Sequence, residues 1–131
     1  MVLSVQVLIL LLLFQIKHLV VDWLWQPPYE YLNKGTWLHP GGLQHAAKHL
    51  VATYIVLAVG ALIFHMPIFV GMAIVLSIFD GVIHYLIDWS KMNINKKYEL
   101  TPTNSENFWR LVGIDQFLHQ ATYIIIVFLI I

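Results

Sequence analysis

Four long apolar runs, at about 2–25, 42–64, 67–89 and 106–131, alternate with short polar stretches along the chain. Each reaches the roughly 20 helical residues that crossing a hydrocarbon core ~30 Å thick requires. Open strands would leave backbone groups unpaired in lipid, so the runs predict helices. The predicted fold is all-α, a four-helix bundle of membrane spans forming one domain over 1–131.

Local signals place the joints. Pro27 and Pro28 end the first run, because each lacks the amide donor that another helical turn needs. Pro67 suits a first helical turn, which predicts a tight turn at His65 and Met66 between spans two and three. Thr103 followed by Glu106 has capping-box spacing, and Asn104 or Ser105 could also cap span four. The first run lacks a basic leader and a small-residue cleavage site and continues into Lys17, His18 and Asp22, so it reads as a retained span.

Composition narrows the class. Of 131 residues, 60% are hydrophobic and 11% charged, more apolar surface than a soluble domain of this size can hide. The formal charge is zero, so no basic field points to nucleic acid. Cysteine is absent, which excludes disulfides and thiolate sites and leaves histidine and carboxylate as the strong metal ligands.

The seven basic residues, Lys17, Lys34, Lys48, Lys91, Lys96, Lys97 and Arg110, fall in the loops at 26–41 and 90–105 or in adjoining helix ends. The positive-inside rule places that side in the cytoplasm and both termini on the non-cytoplasmic side. A bacterial inner membrane is the expected location. Trp23, Trp25, Trp37, Trp89 and Trp109 cluster near the same helix ends, as an aromatic belt does. Lys17 is expected to snorkel, and Lys48 and Arg110 to meet lipid headgroups. His39 and His65 read as ordinary exposed histidines.

Inside the spans, ionisable residues come in pairs: His18 and Asp22, His45 and His49, His84 and Asp88, Asp115 and His119. Each pair is spaced i, i+4, which stacks both side chains on one helical face. In span three the stripe lengthens through Ser77 and Asp80. At 1.5 Å per residue all four pairs lie within roughly 15 Å of the same boundary. Helix bundles build metal sites from inward carboxylates and histidines in this way. Zinc is the first expectation, with iron or manganese as alternatives. Eight candidate ligands exceed the needs of one tetrahedral ion, so either two ions bind or some residues orient the others. Two other readings stay open: interhelical hydrogen-bonding glue and a proton or ion relay. Bis-histidine haem fits less well, since His45 and His49 share one helix and four aspartates lie alongside. GxSxG, Walker, HExxH and GxGxxG motifs are all missing.

The pieces HLVVDWLWQ, LNKGTW, HAAKHLVAT, IHYLIDWSK and FWRLVGIDQFLHQ are similar to those of small bacterial and phage membrane proteins catalogued as domain of unknown function three-three-zero-seven. The similarity covers nearly the whole chain. It departs at Val21, where such sequences usually carry glycine before the first aspartate. The resemblance implies the architecture rather than an activity. Paired histidines and aspartates on short membrane helices also resemble families labelled membrane-bound metal-dependent hydrolases, an analogy of pattern only.

The working expectation is a membrane-embedded divalent-metal site, acting as a hydrolase on a lipid-linked or phosphorylated substrate through a metal-activated water. His18, Asp22, His84, Asp88, Asp115 and His119 are the expected ligands. His45 and His49 follow as catalytic residues, one of them as general base. Gln26 and Gln116 are expected to hold substrate or the ligands. The alternative is a non-enzymatic subunit of a larger membrane complex, with lipid as the common partner.

Overall fold

The structure, a computed structural model, describes residues 2–131. They form α1 (Leu3–His18), continued as a wider π-helical turn over Leu19–Leu24, then α2 (Pro28–Tyr31), α3 (Pro40–Phe64), α4 (Val70–Lys97) and α5 (Glu106–Phe128). No strand occurs among the described residues. Leu3–Leu24, Pro40–Phe64, Val70–Lys97 and Glu106–Phe128 are each long and apolar enough to cross a membrane.

The inward stripes follow the helical period. They run through Leu10, Phe14, Lys17 and His18 in α1, His45, His49, Thr53 and Leu57 in α3, Leu76, Asp80, His84 and Asp88 in α4, and Asp115, His119, Tyr123 and Ile126 in α5. All four change character at one level. Toward the termini they form a dry cluster of Leu10, Phe14, Leu57, Leu76, Tyr123 and Ile126. Toward the two polar loops most inward side chains are ionisable or hydrogen-bonding, with Val21, Gly42 and Gly81 filling the close approaches between them. The outer faces carry Leu12, Ile55, Val75 and Ile125 in exposed positions, the surface expected against lipid.

The joints depart from the expected pattern in several places. Pro67 does not open a helix. Residues 65–69 run without helix and α4 begins at Val70. Met66 and Ile68 are buried while Pro67 is exposed, so the connection seals the bundle's end with alternate side chains. His65 closes α3 in the left-handed region at φ 52°, and the Met66 amide reaches back to the Gly60 carbonyl at 3.2 Å, a closure that satisfies late carbonyls. His65 is exposed. Gln6 donates to the Phe64 carbonyl at 2.7 Å, which accounts for a polar residue in an otherwise apolar stretch.

His39 is not merely exposed. It is half-buried, and its Nδ1 accepts the Gly41 amide at 3.0 Å, capping α3 ahead of Pro40. Of the candidate caps for α5, Ser105 serves, accepting the Asn107 amide at 3.1 Å. Asn104 instead staples the preceding loop, bonding Thr101 and Glu99.

α1 does not stay α-helical to Trp25. From Leu19 the turn widens, with the Trp25 amide bonding the Val20 carbonyl at 2.8 Å. Two causes act together: the β-branched Val20 and Val21 crowd a tight turn, and Pro27 and Pro28 cannot donate to the carbonyls a turn earlier. Such wide turns recur where a side chain is re-aimed at a site. Val21 is accommodated at 3% exposure.

α3 and α4 approach each other closely at Gly81. A Cβ there would lie 3.1 Å from the Leu50 Cβ and 3.3 Å from the Ala46 carbonyl oxygen. Gly81→Val is therefore expected to cost about 1–3 kcal/mol through overpacking. The cost would be read as a lower midpoint for loss of helical signal on heating in detergent, and an unchanged midpoint would refute the close approach.

Candidate metal centre

The loop at 25–39 is part of the centre. α2 and the turn after it fold back over the bundle's polar end, held there by three contacts to α4. Asn93 donates to the Gly35 carbonyl at 2.9 Å, the Leu38 amide donates to Tyr85 Oη at 2.7 Å, and Trp37 packs on Tyr85 and Trp89. Gly35 is required at this crossing, since a Cβ would approach Met92 Cβ to 2.9 Å. The fold-back delivers Gln26, Glu30 and Lys34 into the polar layer. Glu30 and Lys34 are 2% and 7% exposed, although a loop position gave no sign of burial.

At the centre Asp22 Oδ1 lies 2.9 Å from His45 Nε2, 3.6 Å from His84 Nε2 and 3.8 Å from His49 Nε2. The His45 and His84 Nε2 atoms face each other at 3.2 Å. These four residues offer one donor atom each, all within 4.8 Å of one another. A second set, His84, Asp88 and His119, meets the same limit. Around one tetrahedral ion with bonds near 2.0–2.1 Å, donors sit ~3.3 Å apart, the scale of the spacings here. The imidazoles of His49, His84 and His119 form a stack, with centroids 3.4 and 4.0 Å apart.

Two observations test whether a cation fits. Buried polar atoms are ordinarily satisfied, and each orphan costs about 1–3 kcal/mol. Among the described residues, both ring nitrogens of His49, His84 Nδ1, Asp88 Oδ1, Asp115 Oδ1 and His119 Nε2 are buried with no hydrogen-bond partner. Most of the orphaned side-chain atoms among the described residues thus fall within one layer.

Charge gives the second test. Among the described residues each of the four buried acids has a lysine: Lys17 with Asp80 at 2.5 Å, Lys34 with Asp88 at 3.1 Å, Lys48 with Glu30 at 2.5 Å and Lys91 with Asp115 at 3.1 Å. Asp22, half-buried as a residue, has no lysine within ion-pair distance. Its side chain is 6% exposed and its ion-pair partners are all histidines, His18, His45, His49 and His84. A carboxylate out of water needs a positive counter-charge close by. Here that charge falls to a protonated imidazole or to a cation among the rings.

The expected ligands are not all equivalent. Asp22, His84, Asp88 and His119 belong to the two sets, as do His45 and His49, expected instead as catalytic residues. His18 belongs to neither. Gln116 Nε2 donates to Asp115 at 3.1 Å, which turns the Gln116 Oε1 toward His18, so His18 Nε2–H donates to it at 2.9 Å. Tyr123 Oη then donates to His18 Nδ1, also at 2.9 Å. Both ring nitrogens are engaged, and His18 has no lone pair left for an ion. Asp115 also stands outside both sets, with Oδ2 taken by Lys91 and Gln116 and Oδ1 3.6 Å from His119 Nε2. Gln26 Nε2 lies 3.0 Å from His45 Nε2 and 3.2 Å from Nδ1.

Lys17 corrects the snorkelling expectation. It is 5% exposed and points into the bundle, donating to Asp80 at 2.5 Å and to Tyr123 Oη at 3.3 Å, while Thr53 donates to the same Asp80 oxygen. An ammonium with a buried carboxylate in reach gains more by pairing than by stretching to the boundary. Lys48 is likewise drawn from headgroup contact, bonding Glu30 and the Trp25 carbonyl. Arg110 stays on the exposed face beside Glu106. Sequence reasoning missed Glu30, Lys34 and Tyr123. Asp80 carried the one available signal, since an acid deep in an apolar span calls for a partner. Outside the spans, burial alone would lower the Lys34 pKa, but the carboxylates of Asp88 and Asp22 outweigh it and hold the ammonium above the ordinary lysine value.

A family model described as a protein of unknown function, DUF3307, matches residues 7–131. No curated protein and no solved structure matches the chain.

Proposed function

The chain belongs to the DUF3307 family, and we propose that it is a membrane protein that holds a divalent cation among Asp22, His45, His49 and His84. One observation carries this reading: Asp22, whose enclosed carboxylate has no lysine within ion-pair distance, is ringed by imidazoles, two of whose nitrogens on His49 have no other partner. Three imidazoles and one carboxylate suit zinc first, with iron or manganese as alternatives. Gln26 beside His45, and the Gln116 to His18 pair beside Asp22, would orient the donors.

The enzymatic form of the proposal is hydrolysis of a lipid-linked or phosphorylated substrate at the leaflet where the loops lie. A bound ion would supply Lewis acidity if three of the four donors held it and the fourth position took water or substrate. His45 and His49, proposed from sequence as base, serve better as donors in this geometry. The exposed Lys96, Lys97 and Arg110 at the loop end support placing the loops in the cytoplasm and the termini outside, in a bacterial inner membrane.

Interhelical glue is the second reading, and the deeper contacts among Lys17, Asp80, Thr53 and Tyr123 favour it for that part of the layer. A relay is disfavoured, because Leu10, Phe14, Leu57 and Ile126, each 1% exposed or less, close the bundle beyond that point.

Elemental analysis separates the readings. Protein purified in detergent, stripped with chelator and reloaded with Zn²⁺, Fe²⁺ or Mn²⁺ is expected to retain at least one ion per chain, and His49→Ala to retain less. Folded wild-type protein that retains none of the three would leave only the glue.

A further inference from the structure

The orphaned atoms are not all accounted for by one ion. His49 belongs to the first set, but Asp88 Oδ1, Asp115 Oδ1 and His119 Nε2 lie on the other side of His84. From His119 Nε2 the distances are 3.8 Å to Asp88 Oδ1 and 3.6 Å to Asp115 Oδ1. The side chains of all three residues are no more than 3% exposed. Two carboxylate oxygens, each within 3.8 Å of the same imidazole nitrogen and none of the three with a hydrogen-bond partner, form a second place for a cation.

Asp88 joins the two places. Its Oδ2 lies 3.3 Å from His84 Nε2 and 3.4 Å from His45 Nε2, donors of the first set, while Oδ1 faces His119. A carboxylate with one oxygen at each of two donor groups is placed to bridge a pair of ions about 3.5–4 Å apart. His84 belongs to both sets, but a neutral imidazole nitrogen has one lone pair and serves one ion. The second ion is then held by Asp88, Asp115 and His119.

We infer that the layer is a dinuclear site, in which a second divalent cation binds Asp88, Asp115 and His119 and is bridged to the first through the Asp88 carboxylate. The inference rests on the first ion being present. It also predicts an order of filling. Asp22 awaits a cation, whereas Asp88 and Asp115 already carry Lys34 and Lys91, so the second ion displaces an ammonium and binds more weakly. The Lys34 and Lys91 side chains are 9% and 16% exposed, at the loop end, where each can swing toward water.

The test is a titration of chelator-stripped wild-type protein in detergent with Zn²⁺, counting bound metal, and in parallel with Mn²⁺, followed by electron paramagnetic resonance. Two Zn²⁺ per chain are expected, in a tight and a weaker step. With Mn²⁺ the isolated-ion signal of the first equivalent should give way to a spin-coupled signal at the second. His119→Gln should remove only the weaker step and the coupling. Lys34→Met should keep both and tighten the weaker one by up to about fivefold, the worth of one ammonium contact. A single Zn²⁺ step in wild type, unaltered by His119→Gln, would overturn the second position and leave the first standing. Absence of any step in wild type would overturn both.

Discussion

Lys17→Met is expected to cost about 3–5 kcal/mol, the penalty for stranding a buried charge without its partner. Asp80 is 1% exposed and receives Lys17 and Thr53 on one oxygen, both at 2.5 Å. Without the ammonium, the hydroxyl alone must satisfy a carboxylate in a layer that water reaches poorly. The membrane makes the loss worse, because the outer faces offer no polar refuge. The double change Lys17→Met with Asp80→Asn should recover most of the stability, since a buried ion pair is often no better than a neutral replacement. Thermal unfolding in detergent followed by circular dichroism would show a large drop for the single variant and partial return for the double. Equal midpoints for wild type and Lys17→Met would mean that the pair does not form.

The largest effect on binding is expected from Asp22→Asn. The amide keeps the shape but removes a charge that no lysine contacts directly, and it presents an N–H₂ group where a donor oxygen stood. Losing a group that merely orients a metal ligand costs about 10–100-fold in affinity, so losing the charged donor should exceed that range. Isothermal titration with Zn²⁺ would measure it. The variant also separates the two readings of the layer. Under the glue reading Asp22→Asn still accepts from His45 and leaves the fold intact without any binding to lose. Under the metal reading the apo-protein is spared and the metal-dependent rise in unfolding midpoint disappears. That rise is about 2.7 kcal/mol at an ion concentration a hundredfold above Kd.

Much of this was legible from spacing alone. The i, i+4 rule put each pair on one face, and that face proved to be the inward one on all four long helices. Apolar length alone marked the spans. What could not be read is which atoms meet. His18 and His119 occupy equivalent places in the pattern, yet one ring is tied on both sides by Tyr123 and Gln116 while the other keeps a free Nε2. Periodicity assigns a face to a side chain but not the neighbours that compete for its lone pairs. Glu30 and Lys34 escaped for another reason. They reach the layer through a fold-back set by single contacts, Gly35 with Asn93 and Leu38 with Tyr85, and such pairings between distant segments leave no local signature. Pro67 misled because its preference for a first helical turn is weak beside the apolar seal that Met66 and Ile68 provide.

Asp22 and Asp88 each adjoin a tryptophan, Trp23 and Trp89, while the buried Leu10, Phe14, Leu57 and Ile126 pack the bundle on the far side. An ion held as proposed, entering from the loops, would therefore traverse only a shallow part of the bilayer's electric field. Voltage across the full thickness is worth about 2.3 kcal/mol per charge per 100 mV, and most of that drop would lie beyond the proposed site. Occupancy should track the free metal of one compartment, indifferent to membrane energisation, and a purified chain in a planar bilayer should pass no current.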